Sequence, residues 1–222
     1  MAVLTATYRR RPALSQAHPS QWVPERPSVV LRTADGDTLD MDLTRWHDPA
    51  TAEEQDLLEG VEGPVIDLGC GPGRLVVSLA SRCVPALGVD SSPSAIALAR
   101  ARGATVLQRD LFEPLPGEGR WATALLFDGN VGIGGDPTRL LARCREITGA
   151  GGQVVAEVQP PGTGSRRVTA WFELDGHRSE SFAWAVVGAD AVAELARSAG
   201  LAVAALGATP SGRWFARLRD AA

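Results

Sequence analysis

Three glycines at alternate positions, Gly69, Gly71 and Gly73, follow a short apolar run that carries one acid, Val65-Ile66-Asp67-Leu68. Glycine removes the side chain where a backbone must bend and a partner must come close. A helix starting behind such a turn offers free amide N–H groups and a positive dipole end. That combination suits a nucleoside or a dinucleotide and does not choose between them. The spacing is G-x-G-x-G, whereas the dinucleotide fingerprint is G-x-G-x-x-G. A second acid, Asp90, closes the next apolar run in Gly88-Val89-Asp90-Ser91-Ser92-Pro93. A carboxylate there can accept hydrogen bonds from both ribose hydroxyls, and Ser92 is free to cap the following helix in its place. Asp110 in Gln108-Arg109-Asp110-Leu111-Phe112 and Asp128 in Leu126-Phe127-Asp128-Gly129-Asn130 follow two further apolar runs.

These acids must be positioned by alternating strands and helices. Val65–Leu68, Ala86–Val89, Ala104–Gln108, Trp121–Phe127 and Gln153–Val158 read as strands. Between them lie helical stripes: Leu75, Val76, Leu79 and Ala80; a segment from Ser92-Pro93 to Gly103; and Leu140, Leu141, Cys144 and Ile147 after Asp136-Pro137. Strands alternating with helices predict an α/β fold, a doubly wound and mostly parallel sheet. Asp48-Pro49 predicts the start of an earlier helix that Gly60 closes. Before it, Asp35-Gly36 joins Val29–Thr33 to Thr38–Leu43 as a hairpin. Val168–Leu174 and Arg178–Val187 flank Asp175-Gly176 as a second hairpin. Ala189–Ala199 reads as a helix, and Leu201–Leu206 and Arg213–Leu218 as two last strands around Pro210-Ser211-Gly212.

The string Asp67-Leu68-Gly69-Cys70-Gly71-Pro72-Gly73 resembles motif I of the class I, Rossmann-like S-adenosylmethionine-dependent methyltransferases. The resemblance runs through residues 46–158 with motifs and continues to the end as topology. It implies a seven-stranded-type sheet with a C-terminal antiparallel strand pair, here with an extra β-hairpin on the acceptor side. It also implies S-adenosyl-L-methionine as cofactor and S-adenosyl-L-homocysteine as product. By resemblance, Gly69 and Gly71 line the methionine portion, and Asp67 meets its amino group directly or through water. Cys70 and Gly73 belong to the same turn. Asp90 with Ser91 takes the ribose, and Asp110 and Leu111 meet the adenine. Asp128 stands at motif IV, the floor between cofactor and acceptor. The expected organisation is an irregular arm over residues 1–27 and one methyltransferase domain over 28–222. Within it lie a hairpin and helix (28–60), a cofactor-binding core (63–158), an inserted hairpin (166–188), and a helix with terminal strands (189–222).

Methyl transfer from a sulfonium is an in-line displacement with a good leaving group, so the protein mainly supplies orientation and desolvation. A general base is needed only if the acceptor must lose a proton early. The catalytic candidates are His47 and Asp128. Asp128 binds cofactor, binds acceptor, or caps the Gly129–Gly135 loop. Arg45 and Trp46 either fold over the cofactor or form a hydrophobic anchor. Trp46, Asn130, Glu157 and His177 are acceptor-side candidates. Glu157 points into the acceptor pocket or pairs with an arginine, and His177 lies beside an exposed turn. Gly132-Ile133-Gly134-Gly135 departs from the bulkier continuation usual at motif IV. Trp171, Phe172, Phe182 and Trp184 either shape an apolar cleft or are ordinary sheet packing.

The 222 residues carry a net charge of −4, which gives no electrostatic footprint for nucleic acid. All 22 basic residues are arginine, so lysine chemistry is excluded, including a Walker-type phosphate loop and a pyridoxal Schiff base. Cys70, Cys83 and Cys144 form no C-x-x-C pair, so neither a disulfide framework nor a metal site is expected. No run reaches the roughly 18 apolar residues of a membrane span, and no signal peptide is evident, so a cytoplasmic location is expected. The expected function is transfer of a methyl group to a small-molecule acceptor, without nucleic-acid or membrane partners. The rivals are a non-catalytic S-adenosylmethionine-binding protein and a nicotinamide-dependent oxidoreductase.

Overall fold

Strands read from short apolar runs assemble into a single seven-stranded sheet in the computed structural model, which describes residues 29–36, 38–39, 46, 48–174 and 177–221. In chain order the main elements begin with β1 (Val29–Thr33), β2 (Thr38–Leu39) and α1 (Ala52–Glu59). The central part follows as β3 (Val65–Leu68), α2 (Arg74–Ser81), β4 (Ala86–Asp90), α3 (Pro93–Ala101), β5 (Val106–Gln108) and β6 (Thr123–Leu126). After a 3₁₀ stretch over Asn130–Gly135 come α4 (Pro137–Thr148) and β7 (Gln153–Val158). The chain ends with β8 (Ser165–Leu174), β9 (His177–Arg178), β10 (Phe182–Val187), α5 (Val192–Ser198), β11 (Leu201–Ala208) and β12 (Trp214–Asp220).

The large sheet has the order β11-β12-β7-β6-β3-β4-β5. Strands β3 to β7 pair in parallel, and β12 runs antiparallel to both β7 and β11. From β3 the chain winds outward to β4 and β5, then returns to place β6 on the other side of β3. The switch point therefore lies between β3 and β6, where the loops leaving both strands border one crevice. Side chains alternate across the sheet as period two requires. Ile66, Leu68, Ala124, Leu126, Val154 and Ala156 face α4 and α5, while Val65, Leu125, Phe127 and Val155 face α1 and α2. The parallel strands are covered on both faces, which is why they read as unbroken apolar runs.

The helix starts show how local chemistry sets boundaries. Ser92 caps α3 by accepting from the Ala95 amide at 3.3 Å, and Asp136 caps α4. For α1 the expected start at Asp48-Pro49 is corrected. Thr51 is the N-cap, in a reciprocal capping box with Glu54, so the helix begins at Ala52. Gly60 closes it, as expected.

The two hairpins are not separate. β1 pairs antiparallel with β8, from Val29 opposite Leu174 to Thr33 opposite Ala170. A second sheet, β10-β8-β1-β2 with β9 also on β8, results. The expected single strand over 178–187 is divided: β9 and β10 are separated where Ser179 accepts the Phe172 amide through its hydroxyl. Leu31, Ala170 and Trp184 form the core of this second sheet, with Val168, Phe172, Phe182 and Ile133 packed on it. Ile133 belongs to the 3₁₀ stretch, so the second sheet leans on the loop after β6. Gly132 makes that approach possible, because a Cβ there would lie 2.0 Å from the Ala185 carbonyl oxygen. No helix among the described residues is long and apolar enough to cross a membrane.

Candidate functional site

β3 delivers Asp67 and then turns sharply through Gly69, Gly71 and Gly73, all with positive φ (77°, 52° and 79°). Two of these glycines are enforced by neighbours. A Cβ at Gly69 would lie 2.6 Å from Asn130 Nδ2, and one at Gly73 would lie 2.9 Å from the Ala104 methyl. Gly71 differs, since a Cβ there would meet nothing within 4 Å. The middle of the turn opens onto free space while its ends are packed.

Side chains from the end of β4 and from the 3₁₀ stretch after β6 brace the turn. Asp90 Oδ2 accepts the Gly71 amide at 2.9 Å, and its Oδ1 accepts the Ser92 amide at 2.8 Å. Asn130 donates Nδ2 to the carbonyl oxygens of Leu68 (3.1 Å) and Gly69 (2.9 Å). Burial pushes the Asp90 carboxyl above its ordinary range, against the pull of the Ser92, Gly71 and Ser91 amides. The Cys70 thiol is turned inward, filling the space beside Gly88 where a Cβ would lie 2.6 Å from the sulfur.

Asp67 is 2 % exposed, and among the described residues no hydrogen-bond donor reaches its carboxylate. Desolvation raises its pKa to about 7. The Arg74 charge opposes this, and Asp128, Asp90 and Glu54 add to it. Most buried carboxylates in folded proteins are paired. Asp67 is an exception, two residues before the first glycine of the turn.

Asp128 is held otherwise than as a free base. Its φ is 55°, followed by Gly129 at 72°. Arg74, the residue after the last glycine of the turn, clasps its two oxygens at 2.7 and 3.0 Å. Arg74 also bonds both oxygens of Glu54, at 2.7 and 3.2 Å. Glu157 at the end of β7 accepts the Asp128 amide at 2.6 Å and pairs with Arg213 at 2.8 and 2.7 Å. Arg213 also donates to Glu54 at 3.0 Å. Burial would push Glu54 upward, but Arg74 bonds and charge, with Thr51 and Arg213, bring it down to about 2.

The remaining candidates fall into place unevenly. Asp110 folds its carboxylate back on the Phe112 amide at 2.9 Å, and Leu111 is buried in the core. Trp46 is half-buried. Its carbonyl accepts from Arg102 Nη1 at 3.0 Å, and the same nitrogen donates to the Pro72 carbonyl at 3.2 Å. Its ring meets Phe172 edge-on at 6.0 Å, so Trp46 links the glycine turn to the second sheet. His177 is exposed on β9, and no described hydrogen bond or ion pair joins it to the other candidates. His47 and Arg45 lie outside the described residues, as do residues 1–28. Of the two alternatives for Glu157, the structure has the arginine pair. Glu54, Arg74 and Arg213 are the charged residues that reading the sequence did not single out. Arg74 directly behind the glycine turn, and Glu54 at the third position of a capping box, were the visible signals.

Residues 65–152 match a family model described as a methyltransferase domain. A 54-residue segment is 46% identical to trans-aconitate 2-methyltransferase of Rhodococcus jostii (strain RHA1), covering 23% of this chain and 21% of that protein. The match thus spans about a fifth of the curated relative's length. Among solved structures, an S-adenosylmethionine-dependent methyltransferase from Bacteroides fragilis, in complex with S-adenosyl-L-homocysteine, superposes with a TM-score of 0.72. It is 15% identical and covers 90% of both chains. The 1,6-didemethyltoxoflavin-N1-methyltransferase of Burkholderia thailandensis, with its acceptor and S-adenosylhomocysteine bound, gives a TM-score of 0.60. It is 20% identical over 80% of this chain and 81% of that one. Both share the fold.

Proposed function

We propose that this chain transfers the methyl group of S-adenosylmethionine to a small-molecule acceptor, a reading supported by the match of residues 65–152 to a methyltransferase domain model. The observation that carries the reading is the buried Asp67 carboxylate, which no described donor reaches, at the end of the strand that leads into a glycine turn open at Gly71. The amino group of a methionine moiety would supply the missing positive charge. Asp90, on the adjacent strand, keeps further lone pairs on both oxygens for ribose hydroxyls while holding the Gly71 amide. Asp110 and the Leu111 backbone border the place for the adenine. When bound, the sulfonium supplies an electrophilic methyl carbon and a neutral thioether leaving group.

The chain's own contribution is orientation and exclusion of water. Asp128, engaged by Arg74 and Arg213, anchors the turn that follows β6. Trp46 and the second sheet enclose the acceptor side. The acidic net charge of −4 supports a small molecule over a nucleic acid. The trans-aconitate enzyme and the toxoflavin enzyme are named for small acceptors, which favours the same class.

The test is a thermal-shift series with S-adenosylmethionine, S-adenosylhomocysteine, NAD and NADP. Stabilisation by the first pair alone supports the reading. Stabilisation by a nicotinamide dinucleotide instead would replace it with the oxidoreductase.

A further inference from the structure

Arg213 opens the path to β12, far in sequence from the glycine turn, yet it ends beside the turn's support. It bonds both oxygens of Glu157 at 2.8 and 2.7 Å, and Glu157 Oε2 takes the Asp128 amide at 2.6 Å. Asp128 and Gly129 are both left-handed, and Asn130 follows directly with its amide on Leu68 and Gly69. Beside this chain of contacts, Phe215 of β12 packs on Phe127, the residue before Asp128, at 4.9 Å between ring centroids. The β11–β12 turn is anchored as well, since Ser211 gives its amide (3.0 Å) and hydroxyl (2.6 Å) to Glu53 on α1.

We propose that Arg213 is a positioning residue for the cofactor turn, acting through Glu157, the Asp128–Gly129 turn and Asn130. A non-glycine residue with positive φ persists only where its surroundings hold it. The surroundings here are the Asp128 amide on Glu157 and the Asp128 carboxylate on Arg74. Arg213 in turn holds Glu157 from both oxygens, a geometry that the planar guanidinium provides and an ammonium does not. Glu54 connects the two arginines, bonding Arg74 at 2.7 Å and Arg213 at 3.0 Å. The C-terminal hairpin is thereby a part of the cofactor site without touching it. This inference rests on the methyl-donor reading for its ligand, but the contacts themselves exist without one.

The experiment compares wild type with Arg213→Lys, Arg213→Met and Glu157→Gln, and with Arg145→Met as control. Arg145 pairs with Asp220 on the surface, away from the turn. Two quantities are read: S-adenosylhomocysteine affinity by calorimetry, and amide hydrogen exchange in the ligand-free protein over residues 67–74 and 127–135. Arg213→Lys keeps the charge and serves if Arg213→Met fails to fold. Expected are faster exchange in both segments and an affinity loss of about tenfold or more, roughly one lost charge-assisted contact. Arg145→Met should show neither. Lower melting temperatures with unchanged exchange and affinity would make the network merely structural and overturn the proposal. If wild type itself does not bind S-adenosylhomocysteine, the methyl-donor reading fails, and the exchange data still decide on the relay.

Discussion

Asp90 accepts the backbone amide of Gly71 at 2.9 Å, so the acid that closes β4 also shapes the turn that leaves β3. The two residues are brought together because β3 and β4 are parallel neighbours, with Leu68 opposite Val89 at their carboxyl ends. A ribose held by Asp90 would therefore sit on a carboxylate that is already oriented by two amides. Replacing Asp90 with alanine removes the ribose acceptor and leaves the Gly71 amide without this partner. We expect Asp90→Ala to weaken S-adenosylhomocysteine binding by about 1–3 kcal/mol, the usual cost of breaking buried hydrogen bonds. Calorimetry checks this, and an unchanged affinity would remove Asp90 from the site.

Asp67 makes the protein sensitive to pH in a defined direction. Its carboxyl is raised from 3.8 to about 7 in the folded chain. Between roughly pH 4 and 7 the folded state therefore holds a proton that the unfolded chain has lost, and this residue makes stability fall as pH rises through that window. A cationic amino group needs the ionised form. Affinity for S-adenosylhomocysteine should thus rise with pH up to about 7, with proton release below it. Titrations at pH 6 in buffers of different ionisation enthalpy measure that release. Asp67→Asn should abolish it, whereas release of the same size in the variant would assign it to another group.

Gly132 is where the second sheet meets the Asn130–Gly135 stretch. A methyl group there would lie 2.0 Å from the Ala185 carbonyl oxygen and 2.8 Å from the Trp184 indole nitrogen. Backbone cannot yield as a flexible side chain can, so Gly132→Ala should cost about 1–3 kcal/mol of stability through overpacking. Gly207→Ala, where a Cβ meets nothing within 4 Å, should be close to neutral. Urea denaturation of both variants checks the contrast. Equal midpoints would mean that β10 does not bear on the loop.

The parallel core and the glycine turn were legible in the sequence because their causes are local. Apolar runs such as Val65–Leu68, and caps such as Ser92 and Asp136, act within a few residues. The merging of the two hairpins was not legible. It depends on Val29–Thr33 meeting Ala170–Leu174, more than a hundred positions apart, and neither run states its partner. The same holds for the charged cluster. Arg213 alone is a polar residue near a turn, and only the order β12-β7-β6 brings it to Glu157 and Asp128. For Asp128 the sequence left three roles open; in the structure its carboxylate is clasped by Arg74 and its amide is held by Glu157, while Gly129 is the N-cap of the stretch that follows.

The open side of the Gly71 turn is expected to receive the methyl donor. Gly71→Asn tests it directly, because asparagine tolerates the left-handed backbone better than most residues and a Cβ at this position meets nothing within 4 Å. The measurement is calorimetric titration of S-adenosylhomocysteine into wild type and variant, with circular dichroism as the check on folding. Saturable binding to wild type and none to a folded Gly71→Asn is the predicted result. Equal binding to both, or binding of NAD in place of S-adenosylhomocysteine, would contradict it.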